Sequence, residues 1–332
     1  MKTIVMLSGG LDSSIVLALA AKNGLGPIAV HYNLPFGLYG DKENFRSSAK
    51  GITERLGVPL KEVFLGEDFI EMIKAPAHGR GKNFNPCIDC RIFNFRNAKK
   101  IMSDEGASFI MTGEVLGQRP MSQHKQALRM IEEGAGLEGL ILRPLSARRL
   151  PVTIPEKEGW VGKELLLDIH GRGRKRQMEL AEKLGVRDYP MPAGGCLMTD
   201  KGFSRRIKDL AGFKPDFSVE DASFLSIGRH FRISPVFKMV AGRNKGENEK
   251  LLEMARPGDI IFNIENVPGS LGVGRGEPKE EDIRLGAAII GHYSDIDPDS
   301  EHPVLCKRHG DSGGERVTVV PASEKELSAV RI

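Results

Sequence analysis

Ser8-Gly9-Gly10-Leu11-Asp12-Ser13-Ser14 joins an apolar run, Thr3 to Leu7, to a helix-forming run, Ile15 to Lys22. A glycine loop between a strand and a helix N-terminus is suited to phosphate. Loop amides and the first N–H groups of the helix point at one spot, and the helix dipole adds partial positive charge there. Gly9 and Gly10 let the backbone approach phosphate oxygens without a Cβ in the way, and Ser8, Ser13 and Ser14 add hydroxyl donors. Asp12 is a carboxylate among groups that favour anions, which is repulsive unless a cation lies between them. Mg²⁺ bridging Asp12 to a pyrophosphate is the expected solution. The loop lacks the Gly-Lys-Ser/Thr ending of a Walker A motif, so no lysine is aimed at a γ-phosphate.

A second group of residues is suited to sulfur or metal chemistry. Cys87-Ile88-Asp89-Cys90 precedes a predicted helix over Arg91 to Met102, and Cys196 stands far along the chain in Pro192-Ala193-Gly194-Gly195-Cys196-Leu197. A Cys-x-x-Cys pair at a helix mouth directs both sulfurs toward one point, where the helix dipole and Arg91 are expected to lower their pKa values. Three schemes are open. The three cysteines can ligate three corners of a [4Fe-4S] cluster and leave one iron open. Cys87 or Cys90 can work with Cys196 through a catalytic disulfide or persulfide, without iron. Or all three are small packing residues. Structural zinc takes four Cys or His ligands, and the sequence offers no convincing fourth. Cys306, in Val304-Leu305-Cys306-Lys307, reads as a packing residue on a strand.

The elements that position these residues alternate. Strands are predicted over Thr3–Leu7, Pro27–Tyr32, Leu60–Leu65 and Ser108–Met111, with helices over Ile15–Lys22 and Lys42–Leu56 between them. This implies an α/β fold, a doubly wound parallel sheet, with ligands at the carboxyl ends of the strands. Ser8 sits at one such end, and the polar loop Thr112 to Gln123 sits at another. From about Phe217 short apolar runs between turns replace this rhythm. A hairpin is predicted around Gly228, with strands over 236–241, 260–264 and 316–321 and helices over 244–255 and 281–293. That is a second, smaller α+β domain.

The chain has 332 residues, 40% of them hydrophobic and 28% charged, and no apolar run reaches the length of a membrane span. The four cysteines are too few and too uneven for a disulfide framework, and the first residues lead straight into a strand without a signal peptide. A cytoplasmic protein is expected. The net charge of +4 is uneven. Residues 200–332 carry 20 Lys and Arg against 22 Asp and Glu, so the excess of basic residues lies before them. It gathers at Arg143, Arg148, Arg149 and along His170 to Arg176, which fits either a nucleic-acid path or a solvated loop.

Two resemblances narrow this reading. Ser8-Gly9-Gly10-Leu11-Asp12-Ser13 resembles the motif of the PP-loop ATP pyrophosphatases. That family grips the β- and γ-phosphates as leaving group and adenylates a substrate oxygen, which a nucleophile then displaces. Gly113-Glu114-Val115-Leu116-Gly117-Gln118, with Ser122-Gln123, and Leu142-Arg143-Pro144-Leu145 are similar to segments of the tRNA 4-thiouridine synthetases, over about residues 1–200. Those enzymes carry an RNA-binding extension ahead of this domain, whereas this chain opens on the loop's strand, so RNA would be held elsewhere. The Cys87, Cys90 and Cys196 pattern is similar to that of iron–sulfur-dependent tRNA thiolases. In the last third, Ala241-Gly242-Arg243-Asn244-Lys245, Ala255-Arg256-Pro257-Gly258-Asp259, Val267-Pro268-Gly269-Ser270 and Ala287-Ala288-Ile289-Ile290 resemble the RNA-binding domain of the NFACT proteins. Leu271 departs from it, standing where that domain has a histidine.

Together these imply a PP-loop domain over 1–190, a linker carrying Cys196 over 191–214, and an NFACT-like domain over 215–325. The implied activity is an ATP-dependent tRNA sulfurtransferase that replaces a pyrimidine carbonyl oxygen with sulfur. Its implied cofactors are ATP, Mg²⁺ and a [4Fe-4S] cluster, and its implied partners are tRNA and a sulfide or persulfide donor, in a possible homodimer. ATP contacts are expected from Ser8, Gly9, Gly10, Asp12, Ser13, Ser14, Ala29, His31, Thr112, Gly113 and Gln118. Two other readings stay open: a PP-loop ligase or amidotransferase for a small molecule, and an RNA- or ribosome-binding factor with a vestigial nucleotide site.

Overall fold

The computed structural model describes residues 1–36, 41–187, 189–190 and 195–332, with the backbone alone over 41–45. The expected Pro192-Ala193-Gly194 approach to Cys196 and the first residues of the 191–214 segment lie outside the described residues. The chain divides into two compact units, Met1–Asp200 and Lys201–Ile332.

In the first unit β1 (Thr3–Met6), β2 (Pro27–Asn33), β3 (Leu60–Phe64), β4 (Phe109–Thr112) and β5 (Ile141–Leu142) form a parallel sheet in the order β3-β2-β1-β4-β5. This is the doubly wound α/β sheet implied by the alternation of elements. The helices are α1 (Leu11–Lys22), α2 (Asp41–Leu56), α3 (Glu67–Lys74), α4 (Cys87–Asp104), α5 (Lys125–Ala135), α6 (Ile154–Lys157) and α7 (Lys175–Lys183). β1 is central, so it is buried at every position rather than at alternate ones. Its side chains still alternate between faces. Val5 packs in one core layer with Ala29, Met111 and helix α1, while Ile4 and Met6 pack in the other with Ile28, Val30, Ile110 and helices α4 and α5. Helix α1 is buried nearly all round, from Leu11 to Ala20, which accounts for its unbroken apolar run.

Two helices begin earlier than their apolar periodicity indicates. α1 starts at Leu11 rather than Ile15, because Gly10 is extended (φ −87°, ψ 166°) and its carbonyl accepts the first helical bond, from Ser14 N–H at 3.0 Å. α4 starts at Cys87 rather than Arg91. Asp12, Ser13 and Cys87 therefore sit in first helical turns, where N–H groups are unpaired by the helix itself, and the Cys90 N–H makes the first helical bond of α4, to the Pro86 carbonyl (2.9 Å).

The sheet brings β4 alongside β1, with Met6 opposite Thr112. The chain then leaves β4 across the first turn of α1. A Cβ on Gly113 would lie 2.5 Å from Ser13 N and 2.6 Å from the Asp12 carbonyl carbon, both of them backbone atoms.

The second unit is α+β. Its elements are α8 (Lys201–Phe213), α9 (Val219–Ser223), β6 (Arg229–Ser234), β7 (Phe237–Ala241), α10 (Lys245–Glu253), β8 (Ile260–Asn263), β9 (Gly272–Gly276), α11 (Glu280–His292), β10 (His302–Arg308), β11 (Glu315–Val319) and α12 (Glu324–Val330). The six strands form an antiparallel sheet in the order β11-β10-β8-β9-β7-β6. The hairpin predicted around Gly228 is corrected: Phe224–Ser226 is a 3₁₀ turn, Gly228 (φ 75°) leads into β6, and the β6–β7 hairpin turns after Ser234. Phe224 and Leu225 are buried by packing, not by strand pairing, so hydrophobicity alone misled the reading. β9 was missed because its Gly-Val-Gly-Arg-Gly sequence has little strand propensity. Gly274 fits closely under Phe237 and Phe262, and Gly272 under Ile290 and Met239. Cys306 lies in this core with Val304, and burial pushes its thiol up to about 12.

α8 falls within the stretch read as a linker and is grouped by its contacts with the second unit. It is tied to the sheet by Asp209, which accepts from Arg232 Nε (3.0 Å) and Nη2 (2.7 Å) and lies 3.3 Å from Lys238 Nζ.

Two outcomes follow. Gly113→Ala must separate β4 from α1, and we expect a loss of roughly 1–3 kcal/mol in denaturant unfolding; unchanged stability would show that the close approach is dispensable. Lys238 is 8% exposed, and burial lowers its ammonium from 10.5 to about 8. The unfolded chain then binds the proton more tightly than the folded one. Stability is therefore expected to rise with pH between about 8 and 10.5, by at most roughly 3 kcal/mol for this group. Lys238→Met, compared with the wild type across that window, should lack this rise.

Candidate functional site

The phosphate loop is built by its own side chains. Ser13 Oγ accepts from the Ser8 N–H (3.1 Å) and donates to the Gly10 carbonyl (3.0 Å), and Ser8 Oγ lies 3.0 Å from Ser13 Oγ. Gly9 turns at φ 76°, in the region that favours glycine, and its carbonyl accepts from Ser48 Oγ (2.9 Å). His31 Nδ1 donates to the Leu7 carbonyl (2.9 Å), which fixes the carboxyl ends of β1 and β2 against each other. The Ser13 hydroxyl thus shapes the loop rather than standing ready as a phosphate donor.

A cavity of about 320 Å³ opens at these strand ends. Of the expected residues, Ser8, Gly10, Asp12, Ser13, His31, Thr112, Gly113, Gln118, Cys87, Cys90 and Cys196 line it. Gly9, Ser14 and Ala29 do not. Gly9 supports the loop from behind, Ser14 is fully buried with its Oγ unpartnered among the described residues, and Ala29 is a core residue of β2. Ala29 lies further back along β2: Val30 and His31, nearer the strand's carboxyl end, reach the cavity, while Ala29 packs in helix α1's layer.

Asp12 is only partly satisfied. Its side chain is 16% exposed, and Gln118 Nε2 donates to Oδ2 (2.9 Å), with Arg174 Nε 3.9 Å from the same oxygen. Oδ1 is buried without a hydrogen-bond partner among the described residues. Burial raises the carboxyl's pKa against the opposing pull of Gln118, Arg174 and Arg119. A buried carboxylate oxygen with no donor is suited to a hard cation, so the residues present fit Mg²⁺ at Oδ1. Gln118, expected at the nucleotide, lines the cavity and also holds Asp12 through its amide.

The three cysteines share the cavity wall, two from the first turn of α4 and one from the segment before α8. Asn85 Nδ2 donates to Cys87 Sγ (3.0 Å), and Asn94 Nδ2 lies 3.9 Å from Cys90 Sγ. The expected thiolate at Cys87 is corrected: burial pushes its thiol up, more than Asn85, Arg91 and Arg119 pull it down, and Cys196 nearby adds to the rise. Among the described residues no group of three His, Cys, Asp or Glu is gathered tightly enough to hold a metal ion. The donor set suits soft metal or sulfur chemistry, and its members line one space without converging.

Several residues of this site were missed. Glu114 (2% exposed) and Arg143 (3%) form a buried pair at 3.0 Å, and Glu114 Oε1 lies 3.4 Å from Arg91 Nε. Arg91, Arg119 and Arg174 all line the cavity. Their signal was adjacency: Arg91 follows Cys90, Arg119 follows Gln118, and Arg174 belongs to the basic run over 170–176. That run otherwise turns outward, with Arg176 on Asp168 (2.7 Å) at the surface.

Comparison with known proteins follows this division of the chain. Residues 1–148 match the family described as thiamine biosynthesis protein (ThiI), and residues 228–330 match the NFACT protein RNA binding domain. Among curated proteins, a tRNA-specific 2-thiouridylase MnmA of Azorhizobium caulinodans is 26% identical over 267 residues, covering 74% of this chain and 63% of that protein. A protein named "Probable tRNA sulfurtransferase", from Methanothermobacter thermautotrophicus, is 26% identical over 199 residues, covering 59% and 43%. The chain thus spans less than two thirds of either relative. Among solved structures, a 4-thiouridine synthetase–RNA complex with bound ATP aligns with TM-score 0.39 and 21% identity over 67% of this chain and 53% of that one. The U34-tRNA thiolase NcsA from Methanococcus maripaludis, with its [4Fe-4S] cluster, aligns with TM-score 0.35 and 17% identity over 68% and 70%. By these matches residues 1–148 are similar to the ThiI family and residues 228–330 to the NFACT RNA-binding domain.

Proposed function

We propose that the protein is an ATP-dependent tRNA sulfurtransferase that adenylates a pyrimidine carbonyl oxygen and replaces it with sulfur, releasing AMP and pyrophosphate. One observation carries the reading: the phosphate loop with Asp12 and the three cysteines open into a single cavity. Amidation of a small molecule needs the first group and has no use for the second. A vestigial nucleotide site has no reason to keep a buried carboxylate with an orphan oxygen. The match to the ThiI family and the relatives named for tRNA thiolation support the same reaction.

In this reading the loop amides and the N-terminus of α1 hold the pyrophosphate portion of ATP, and Gln118 orients Asp12. Asp12 Oδ1 would hold Mg²⁺, which would neutralise the departing pyrophosphate. Adenylation turns a carbonyl oxygen into a leaving group, and Cys87, Cys90 and Cys196 present sulfur to the same carbon. These three cysteines would ligate a [4Fe-4S] cluster, which would supply an open iron for substrate sulfur. Sulfide or a persulfide carrier is the donor class. The second unit would hold tRNA, in the cytoplasm, where thiols stay reduced.

Mass spectrometry of tRNA nucleosides from a strain lacking the protein tests the function directly: one thionucleoside should be missing. In vitro, the tRNA-dependent products of ATP should be AMP and pyrophosphate, and Asp12→Asn should slow their formation roughly 100- to 1,000-fold. ADP and phosphate as products would remove the reading. Protein purified without oxygen should hold about four irons per chain. Changing Cys87, Cys90 or Cys196 to Ala should lose iron and thiolation together, while Cys306→Ala keeps both. Iron-free protein that thiolates tRNA from a persulfide donor would establish the persulfide route instead.

A further inference from the structure

The cavity of the first unit carries more cation than its sequence motifs account for. Arg91, Arg119 and Arg174 line it, and among the described residues the carboxylates that line it are Asp12 and Glu114. Glu114 is already engaged: it lies buried against Arg143 at 3.0 Å and reaches Arg91 at 3.4 Å. Arg91 is thereby anchored from behind. Asp12 has Arg174 at 3.9 Å, so Arg174 belongs to the phosphate-loop end.

Arg119 stands between these ends. It follows Gln118, whose amide reaches Asp12 at 2.9 Å, and two residues further on Met121 Sδ lies 3.5 Å from Asn85 Nδ2, which also donates to Cys87 Sγ, so one short loop runs from the phosphate-loop end to the cysteine end and carries Arg119 into the cavity. Its charge is held in a partly desolvated wall beside two like charges, an arrangement that favours an anion placed among them. The α1 loop offers no lysine, so the phosphate next in line after the pyrophosphate has no cation from that element.

We propose that Arg119, with Arg91 and Arg174 on the same cavity wall, forms an anion subsite for the α-phosphoryl group of the nucleotide, between the phosphate loop and the cysteines. The assignment rests on the nucleotide reading of the cavity and adds a residue to it. During adenylation the bond from the α-phosphorus to the bridging oxygen of the pyrophosphate breaks, and a bond forms to the carbonyl oxygen of the base. The electron pair leaves with the pyrophosphate. When sulfur displaces the adenylyl group, AMP departs with the former carbonyl oxygen. In both steps negative charge sits on the α-phosphoryl oxygens between the same two ends, and a fixed guanidinium there stabilises it.

Adenosine, AMP and pyrophosphate, bound separately to the full-length protein by calorimetry, test the assignment. Wild type should prefer AMP to adenosine at least tenfold. Arg119→Met should reduce that preference to about twofold or less while leaving adenosine and pyrophosphate affinities unchanged, which also shows that the variant is folded. Arg119→Lys should keep part of the preference. AMP and pyrophosphate formation should fall roughly 100-fold in Arg119→Met, and added methylguanidine should restore part of it. An Arg119→Met variant that keeps the wild-type AMP preference would overturn the assignment alone. Loss of pyrophosphate affinity with AMP preference intact would move Arg119 to the phosphate loop and overturn it likewise. Wild-type protein that binds neither adenosine nor AMP would remove the nucleotide reading itself, and the assignment with it.

Discussion

The close approach of the chain leaving β4 to the first turn of α1 is the constraint on which this site depends. At Gly113 there is no room for a Cβ above the Asp12–Ser13 backbone. Because the two segments touch there, the loop after β4 is delivered to the mouth of α1, and Gln118 reaches Asp12 at 2.9 Å. The same loop carries Glu114 and Arg119 into the cavity. A side chain at Gly113 would move all of them together, since they hang from one turn.

The electrostatics of the cavity follow from that geometry. Asp12 is buried with one oxygen held and the other orphaned, so its carboxyl is raised and a cation is the natural complement. The arginine-lined wall carries the opposite sign, with Arg91 fixed through Glu114 and Arg143. Burial keeps Cys87 toward its thiol form, although Asn85 and two arginines oppose this. The proposed reaction, which brings a polyphosphate, a metal and a sulfur nucleophile together, needs such unlike microenvironments within one space.

The second unit is organised differently. Its antiparallel sheet buries one face under α11, with Phe237, Met239 and Phe262 packed against Ile289 and Ile290. α8 is joined to this unit by the buried Asp209, Arg232 and Lys238 cluster. Among the described residues no helix is long and apolar enough to cross a membrane.

Much of this was legible in the chain. The apolar runs of β1 and β2, the glycine loop and the Cys-x-x-Cys spacing are local patterns, and local patterns carry strand, loop and ligand chemistry directly. The alternation of elements was enough for the doubly wound sheet. The residues that only the fold revealed act through pairs distant in sequence. Glu114 meets Arg91 and Arg143, Gln118 meets Asp12, and Asn85 turns its amide to Cys87. Ala29 and Ser14 went the other way, from expected contacts to core: Ala29 lies back from the carboxyl end of β2, and helix phase turns Ser14 inward. The sequence by itself determined which chemical groups were present and which elements carried them. The tertiary structure decided which groups face one cavity and which oxygen lacks a partner, because burial and charge depend on neighbours that adjacency in the chain does not specify.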